Sequence, residues 1–314
     1  CKQEIHDMMN RTLVDWHPGS NNQVRDLVHP SMYCYVAGKS VGIDGKPIES
    51  APSDESRRYQ WLPSKFHVNF SDKKYSVRVE SYINNLNTEK NPNMVSLIER
   101  VFAAFVPNLE RILNKSLSNR DIQVIVKIGH VVLTPENPDY PGGSWHIEGM
   151  PQEKIAATCL HYVDMENITD SFLEFRKPVI IGEPEDYSQN DTKFTTHHYG
   201  IEPGSHYDGY QNRYLGLIKC TEGASVVFPN TLQHRVKEFG LKDRNKPGLR
   251  TIIAFFVIDP DHPIVDTSQV PPQQGIFSEK KAKYYRNRLM FHRKYFVNQI
   301  NQEIFMRGYS LCEH

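Results

Sequence analysis

Trp145-His146-Ile147-Glu148, answered by Phe228-Pro229-Asn230-Thr231-Leu232-Gln233-His234 and then by Arg250-Thr251-Ile252-Ile253-Ala254-Phe255-Phe256-Val257-Ile258, decides how the fold is read. On a β-strand, residues two apart share a face, so His146 and Glu148 project together while Trp145 and Ile147 point away. The run 251–258 is apolar on both faces, the pattern of a strand covered by a further layer of helix. Strands of this kind, spread from about 122 to 260, predict an α+β chain built on a double-stranded β-helix, or jelly roll. Its facing walls would carry His146, Glu148, His234 and Arg250 to one end of the barrel.

Two imidazoles and one carboxylate on one face of an octahedral ion leave adjacent positions free, the facial triad of non-haem iron(II) sites. Three open positions suffice for a bidentate 2-oxo acid and for dioxygen. One carboxylate ligand leaves residual positive charge on the ion, which favours an anionic co-substrate. A cation must then hold that co-substrate's far carboxylate, and Arg250 at the head of its strand is the candidate. Its guanidinium is planar, permanently charged and able to bind a carboxylate through two parallel hydrogen bonds.

His-x-Glu alone is a weak signal in a chain with 14 histidines and 37 acidic residues. It gains weight from the lead-in Pro141-Gly142-Gly143-Ser144, from Phe228-Pro229-Asn230 and His234-Arg235-Val236, and from the strand that follows. Singly, His146 reads as a hydrogen-bonded core histidine and Arg250 as a buried ion-pair partner; together they read as a site. His206-Tyr207-Asp208 and His197-His198 compete as ligands, but too little chain separates Asp208 from His234 for the intervening strands. His197, His198 and His206 are therefore expected in loops near the mouth, with surplus chain looped out at 183–189. His161, on the strand 155–163, is expected to pack in the core.

Lys plus Arg and Asp plus Glu are both 37 in the 314 residues, so charge exerts no pull toward nucleic acid or an anionic membrane. Neither partner is expected, and oligomeric state has no sequence signal. The five cysteines, Cys1, Cys34, Cys159, Cys220 and Cys312, are odd in number and lack Cys-x-x-Cys spacing, which predicts a reducing, cytoplasmic setting. No apolar run of membrane length and no signal peptide is visible in a chain that starts at Cys1.

The chain divides into an N-terminal α+β region (1–120), the β-helix core (121–265) and a C-terminal extension and helix (266–314). A hairpin is predicted from 66–70 and 75–79. Apolar residues at 94, 97, 98, 101, 102, 105, 109, 112 and 113 predict an amphipathic helix, broken or restarted at Pro107, that covers the strand 251–258. A long helix from about 279 to 307, capped by Ser278 and ended by Gly308, interleaves basic residues with aromatics. Zero net charge favours docked aromatics and solvated cations over a nucleic-acid surface.

The region 122–260 resembles the iron(II)- and 2-oxoglutarate-dependent oxygenase superfamily, of the prolyl-hydroxylase-like sort. Nearly the whole chain resembles a mainly fungal family catalogued as a domain of unknown function. The blocks that carry this are Asp15-Trp16-His17-Pro18-Gly19-Ser20-Asn21-Asn22-Gln23-Val24, Asp26-Leu27-Val28-His29-Pro30-Ser31, Tyr59-Gln60-Trp61-Leu62-Pro63-Ser64, Ser81-Tyr82-Ile83-Asn84-Asn85-Leu86, Gly143-Ser144-Trp145-His146-Ile147-Glu148-Gly149-Met150, Phe228-Pro229-Asn230 with Gln233-His234-Arg235-Val236, and Val270-Pro271-Pro272-Gln273-Gln274. The resemblance implies that His146, Glu148 and His234 bind iron(II) and that Arg250 binds 2-oxoglutarate. Glu148 departs from the aspartate commoner at the second ligand position. It leaves open whether His17, His29, Trp16 and Trp61 shape the pocket or pack the domain, with packing expected for the tryptophans.

These residues predict a dioxygenase that hydroxylates a small molecule or an amino-acid side chain, with release of succinate and carbon dioxide. A zinc-dependent hydrolase is the second possibility, since two histidines and a glutamate also suit catalytic zinc. Against it, no His-Glu-x-x-His is present. A non-enzymatic jelly-roll binding module is the third.

Overall fold

In the computed structural model, which describes residues 1–180, 191–201 and 208–310, the chain forms two principal antiparallel sheets flanked by helices. The helices are α1 (Lys2–Arg11), α2 (Met94–Ala103), α3 (Val106–Leu113), α4 (Thr192–Tyr199) and α5 (Glu279–Ile300). The main strands are β1 (Val24–Val28), β2 (Ser64–Ser71), β3 (Lys74–Val79), β4 (Arg120–Leu133), β5 (Ile155–Glu166), β6 (Ser171–Pro178), β7 (Asn212–Cys220), β8 (Ser225–Pro229), β9 (Gln233–Val236) and β10 (Gly248–Ile258). The larger sheet runs β8-β5-β10-β4-β2-β3, and β1 joins it on β4; the smaller runs β7-β6-β9. β4 is long enough to hold β2 along 120–124 and β1 along 128–131 of one edge.

Local chemistry accounts for the joints. Asp72 and Lys73 both take positive φ (49° and 61°), the conformation of a two-residue hairpin turn that suits the twist of the flanking strands β2 and β3. Pro107 lies in the first turn of α3, where its missing N–H costs nothing, so the amphipathic stripe is divided into α2 and α3. The Ser278 side chain accepts from the Lys281 N–H and caps α5.

Period-two alternation sorts the larger sheet into two faces. Val124, Val126 and Ile128 of β4 with Ile253, Phe255 and Val257 of β10 face α1, α2 and α3. Phe102 of α2 packs edge-on against Phe255 at 5.1 Å between ring centroids, so this helix does cover β10. Full burial of a side chain like Phe255 contributes about 2–3 kcal/mol. The opposite face carries Ile125, Ala254, Phe256 and Ile258, which meet Leu173 and Phe175 of the smaller sheet and Trp61. Trp61 packs as expected, stacked on Phe256 at 5.3 Å, with its Nε1–H donated to Ser31 Oγ.

Four expectations are corrected. His197 and His198 lie on a helix, not a loop, because Asp191 caps its N-terminus and Gly200 its C-terminus. His206 and the stretch 183–189 fall outside the described residues. His161 is only half-buried: it pairs in register with Ile253 on the helix-covered face and shares a hydrogen bond with Ser225, because a strand apolar on both faces gives alternation no way to choose a side. α5 ends at Ile300 and runs into a π-helical turn at Asn301–Phe305 instead of continuing to Gly308. Its chemistry is also mixed: Tyr285 docks in the core and Lys280, Lys281 and Lys294 are solvated, but Tyr284, Phe291 and Tyr295 are exposed, while Arg286 and Arg293 turn inward onto Asp15 and Glu153. A half-buried Asp15 and a buried Glu153, not apolar patches alone, orient this helix. Among the described residues no helix is long and apolar enough to cross a membrane.

Candidate metal centre

The segment before Glu148 is held against β9 by backbone hydrogen bonds. His146 and His234 exchange N–H to carbonyl bonds at 3.2 and 3.0 Å, and Gly143 N–H donates to Val236 O at 2.9 Å. Gly142 has φ +86°, and a Cβ there would meet Val236 O at 2.7 Å, so only glycine lets the chain approach this closely. The pairing sets the imidazoles of His146 and His234 side by side, ring centroids 4.4 Å apart. Trp145 takes the other face, with Arg176 and Arg235 each 4.7 Å from the ring centroid.

Glu148 completes the group. Its Oε1 lies 3.6 Å from His146 Nε2 and 3.4 Å from His234 Nε2. One donor atom from each of the three lies within 4.8 Å of the others. His146 Nδ1–H donates to the Ser144 carbonyl at 2.7 Å, which orients the ring with Nε2 facing Glu148. Burial alone would raise the Glu148 carboxyl, but the two imidazoles beside it outweigh burial and hold it well below the ordinary carboxylate range. Burial would lower His146, but hydrogen bonding to Glu148 outweighs it and raises the group; burial and the neighbouring His146 lower His234. An ionised carboxylate with two imidazole nitrogens is a donor set for a divalent transition metal.

Asn230, given no role by the sequence reading, fixes the carboxylate's backbone. Its Oδ1 accepts from Glu148 N–H at 2.8 Å, and its Nδ2 donates to the carbonyls of Glu148 and Ile155. The signal was present in Phe228-Pro229-Asn230, a turn ahead of the histidine strand.

Arg250 opens into the same cavity, of about 190 Å³, whose polar lining is Lys127, His130, Tyr140, His146, Glu148, His234 and Arg250. The arginine is 4% exposed and, among the described residues, forms no ion pair; its Nη2 reaches only Cys220 Sγ at 3.9 Å, and its Nε is without a partner there. Its guanidinium lies 5.2 Å from the Tyr162 ring centroid and 5.8 Å from that of Phe239. The Tyr162 hydroxyl, also buried, has no well-formed hydrogen bond, and burial raises its proton affinity. A buried cation and a buried hydroxyl with unfilled donors side by side suit a carboxylate. A wider groove of about 860 Å³ elsewhere, lined by Lys65, Asp121, Gln123 and Asp266 among others, holds no such donor set.

His17, Asp26 and His29 form a second grouping with ligand-like spacing. His17 Nδ1 lies 3.0 Å from Asp26 Oδ2. The Ser31 N–H donates to His29 Nδ1 at 3.2 Å, so neutral His29 carries its proton on Nε2, the nitrogen that faces Asp26. That nitrogen is a donor and not a metal ligand.

The model of the family described as "Protein of unknown function (DUF4246)" matches residues 2–121 and 113–281, and the chain belongs to that family. No curated protein matches it. Among solved structures it is similar to the IDO protein of Bacillus thuringiensis (13% identity, 63% of this chain and 75% of that one, TM-score 0.33). It is also similar to a BsmA homologue from Methylobium petroleophilum (7% identity, 82% and 81%, TM-score 0.39). A third is the Fe(II)/α-ketoglutarate-dependent dioxygenase TqaL (13% identity, 85% and 90%, TM-score 0.34).

Proposed function

We propose that this member of the DUF4246 family is a non-haem iron(II)- and 2-oxoglutarate-dependent dioxygenase, hydroxylating a small molecule or an amino-acid side chain. The observation that carries the proposal is one cavity with His146, Glu148 and His234 on one wall and an unpaired Arg250 on the other. The strand order supports it. With 144–148 counted as the second of eight strands from β4 to β10, the first, third, sixth and eighth form one sheet and the rest the other. Strands that alternate in this way between facing sheets are those of a jelly roll.

The donors fit a metal. Metal–ligand bonds of about 2.0–2.2 Å place neighbouring ligands on one octahedral face roughly 3 Å apart. The observed 3.4 and 3.6 Å separations would close by a few tenths of an ångström. When bound, iron(II) with 2-oxoglutarate supplies the oxidation by dioxygen that yields succinate, carbon dioxide and hydroxylated substrate. The protein's part is positional. The Ser144 carbonyl holds the His146 ring with Nε2 turned toward the other two ligands, and Asn230 holds the Glu148 backbone. Arg250 and Tyr162 would take the co-substrate's far carboxylate through charge-assisted hydrogen bonds. Zinc hydrolysis would use the same three ligands, but leaves the unfilled donors of Arg250 and Tyr162 without a task.

The test is succinate release from purified protein given iron(II) and 2-oxoglutarate. His146→Ala and Arg250→Ala should each abolish it; unchanged turnover in either variant would refute the assignment.

A further inference from the structure

The inner wall of the larger sheet carries a cation that the proposed chemistry leaves unused. Lys127 of β4 lines the cavity of the triad, in register with Ala254 of β10, which lines it too. Among the described residues Lys127 forms no ion pair or hydrogen bond, although it is only partly exposed. Partial burial of an ammonium without a partner costs solvation, a cost that an arriving anion would remove.

Lys127 stands apart from the end of the cavity assigned to 2-oxoglutarate. Ala254, its partner across the strands, is four residues from Arg250 on the same row of β10, roughly 14 Å at about 3.4 Å per residue. The Lys127 charge acts on His146, whereas the Arg250 guanidinium sits among Tyr162, Phe239 and Cys220. Each cation is therefore placed for an anionic group of its own.

The surroundings of Lys127 set the rest of the ligand. Gly129, next on its row and also in the lining, would accept a side chain, since an added Cβ meets nothing nearer than Arg25 O at 3.5 Å; as glycine it leaves room beside the ammonium. Leu160, opposite Ala254 on β5, and Phe256, next on the row of Ala254, make this end of the lining apolar. Among the described residues Glu148 is the only carboxylate on the cavity wall, and a metal would occupy it. Asp26 and His29 lie within electrostatic reach of Lys127 but do not line the cavity. A ligand here finds a partner for a negative end and none for a positive one. The charge balance agrees: a divalent ion, Arg250 and Lys127 outweigh Glu148 and the 2-oxoglutarate dianion by one positive charge, which one further carboxylate would cancel.

We infer that the molecule oxidised is a small monocarboxylic acid with an uncharged, apolar body, and that Lys127 selects it by pairing with its carboxylate. That the acid is oxidised rests on the dioxygenase proposal; that it binds Lys127 does not. The pairing is a charge-assisted hydrogen bond, and a cavity of about 190 Å³ keeps the acid small.

The test loads the protein with redox-inert Mn(II) and saturating 2-oxoglutarate and removes unbound Mn(II). Butanoate, 3-methylbutanoate, hexanoate and benzoate are then titrated in, each beside its neutral amide, and binding is read by NMR from paramagnetic relaxation of the ligand protons. At least one acid should bind, with its amide about tenfold weaker or more, the loss expected when one charge-assisted bond is removed. Valine, which is 3-methylbutanoate with an added ammonium, should bind more weakly than that acid. Lys127→Met keeps an apolar stem without the charge; it should weaken the acid by about tenfold or more and leave Mn(II) and 2-oxoglutarate affinities unchanged. Lys127→Arg should retain the acid. If Lys127→Met fails to fold, the acid–amide and valine comparisons on the parent decide alone. The inference is overturned if no acid binds, if acid and amide bind alike, or if valine binds more tightly than 3-methylbutanoate. It is equally overturned if Lys127→Met keeps the acid or loses 2-oxoglutarate in its place. Metal-free protein, followed by saturation transfer, separates the two readings: acid binding that depends on Lys127 in a chain that takes up neither metal nor 2-oxoglutarate would sink the dioxygenase reading alone.

Discussion

Arg293 Nη2 donates to both carboxylate oxygens of Glu153, at 2.7 and 2.6 Å, with its guanidinium 3.4 Å from the Trp61 ring centroid. Glu153 is fully buried and also accepts from the backbone N–H groups of Trp61 and Met150. One carboxylate thus ties α5, the Trp61 segment and the chain leaving Glu148 into a single unit. Removing one partner of a buried, hydrogen-bonded pair strands the other charge, at a cost of about 3–5 kcal/mol. Arg293→Ala should lower the unfolding free energy by that amount in urea titrations. A loss below about 1 kcal/mol would mean that water reaches Glu153 and the pair is not structural.

Asn230 should govern metal affinity without touching the metal. Three hydrogen bonds from its amide join Glu148 to the start of β5, so Asn230→Ala frees the carboxylate's backbone. Loss of an outer partner of this kind costs about 10- to 100-fold in metal affinity. The check is Mn(II) or iron(II) binding measured by equilibrium dialysis, with the melting temperature monitored alongside. Weakened metal binding in a variant that melts as the parent does marks a positioning role. Equal affinity in the two chains would remove Asn230 from the site.

Arg250 and Tyr162 should act on the co-substrate and leave the ion alone. Arg250→Lys keeps the charge but not the two-pronged geometry, and should weaken 2-oxoglutarate binding by at least about tenfold. Tyr162→Phe removes one neutral hydrogen bond worth about 1 kcal/mol, or roughly fivefold. Both variants should bind Mn(II) as the parent does. If either loses metal and retains 2-oxoglutarate, the two ends of the cavity have been assigned the wrong way round.

Legibility in the sequence follows the range over which each signal acts. His146, Glu148, His234 and Arg250, named from strand periodicity and flanking turns, line one cavity, because period-two alternation and glycine-rich turns act over a few residues. The break at Pro107 and the Ser278 cap were legible for the same reason. Lys127 was not: set among Ile125, Val126 and Ile128, it reads as a lone solvated cation until the register with Ala254 shows which way it faces. Glu153 and Arg293 are 140 residues apart, and no local pattern couples them. His161 fails differently. β5 is apolar on both faces and shifts register between Tyr162 and Asp164, so its sequence does not reveal which side meets the cavity. In α5 the aromatic residues look like the docking face, yet arginines with carboxylate partners on the domain decide its rotation.

His130, a non-ligand residue of the cavity's lining, makes stability depend on pH. Its ring is 1% exposed on the helix-covered side of β4, with Nδ1 2.6 Å from Thr251 Oγ1 and Nε2 unpartnered. Burial, reinforced by the charges of Arg25 and His6, pushes its pKa from 6.5 down to about 4. The folded value lies below the unfolded one, so on acidification the unfolded chain takes up the proton first. Stability from neutral His130 is therefore complete above pH 6.5 and is lost as pH falls toward 4, below which both states are protonated. At about 1.4 kcal/mol per unit, that window corresponds to roughly 3 kcal/mol. His130→Asn keeps an acceptor for Thr251 and cannot titrate. Urea unfolding of both proteins across this range should show the parent's advantage at neutral pH shrinking by about that amount toward pH 4, while carboxylates and His29 titrate alike in both and cancel. Parallel stability curves would show that His130 is solvated enough to be protonated in the folded state.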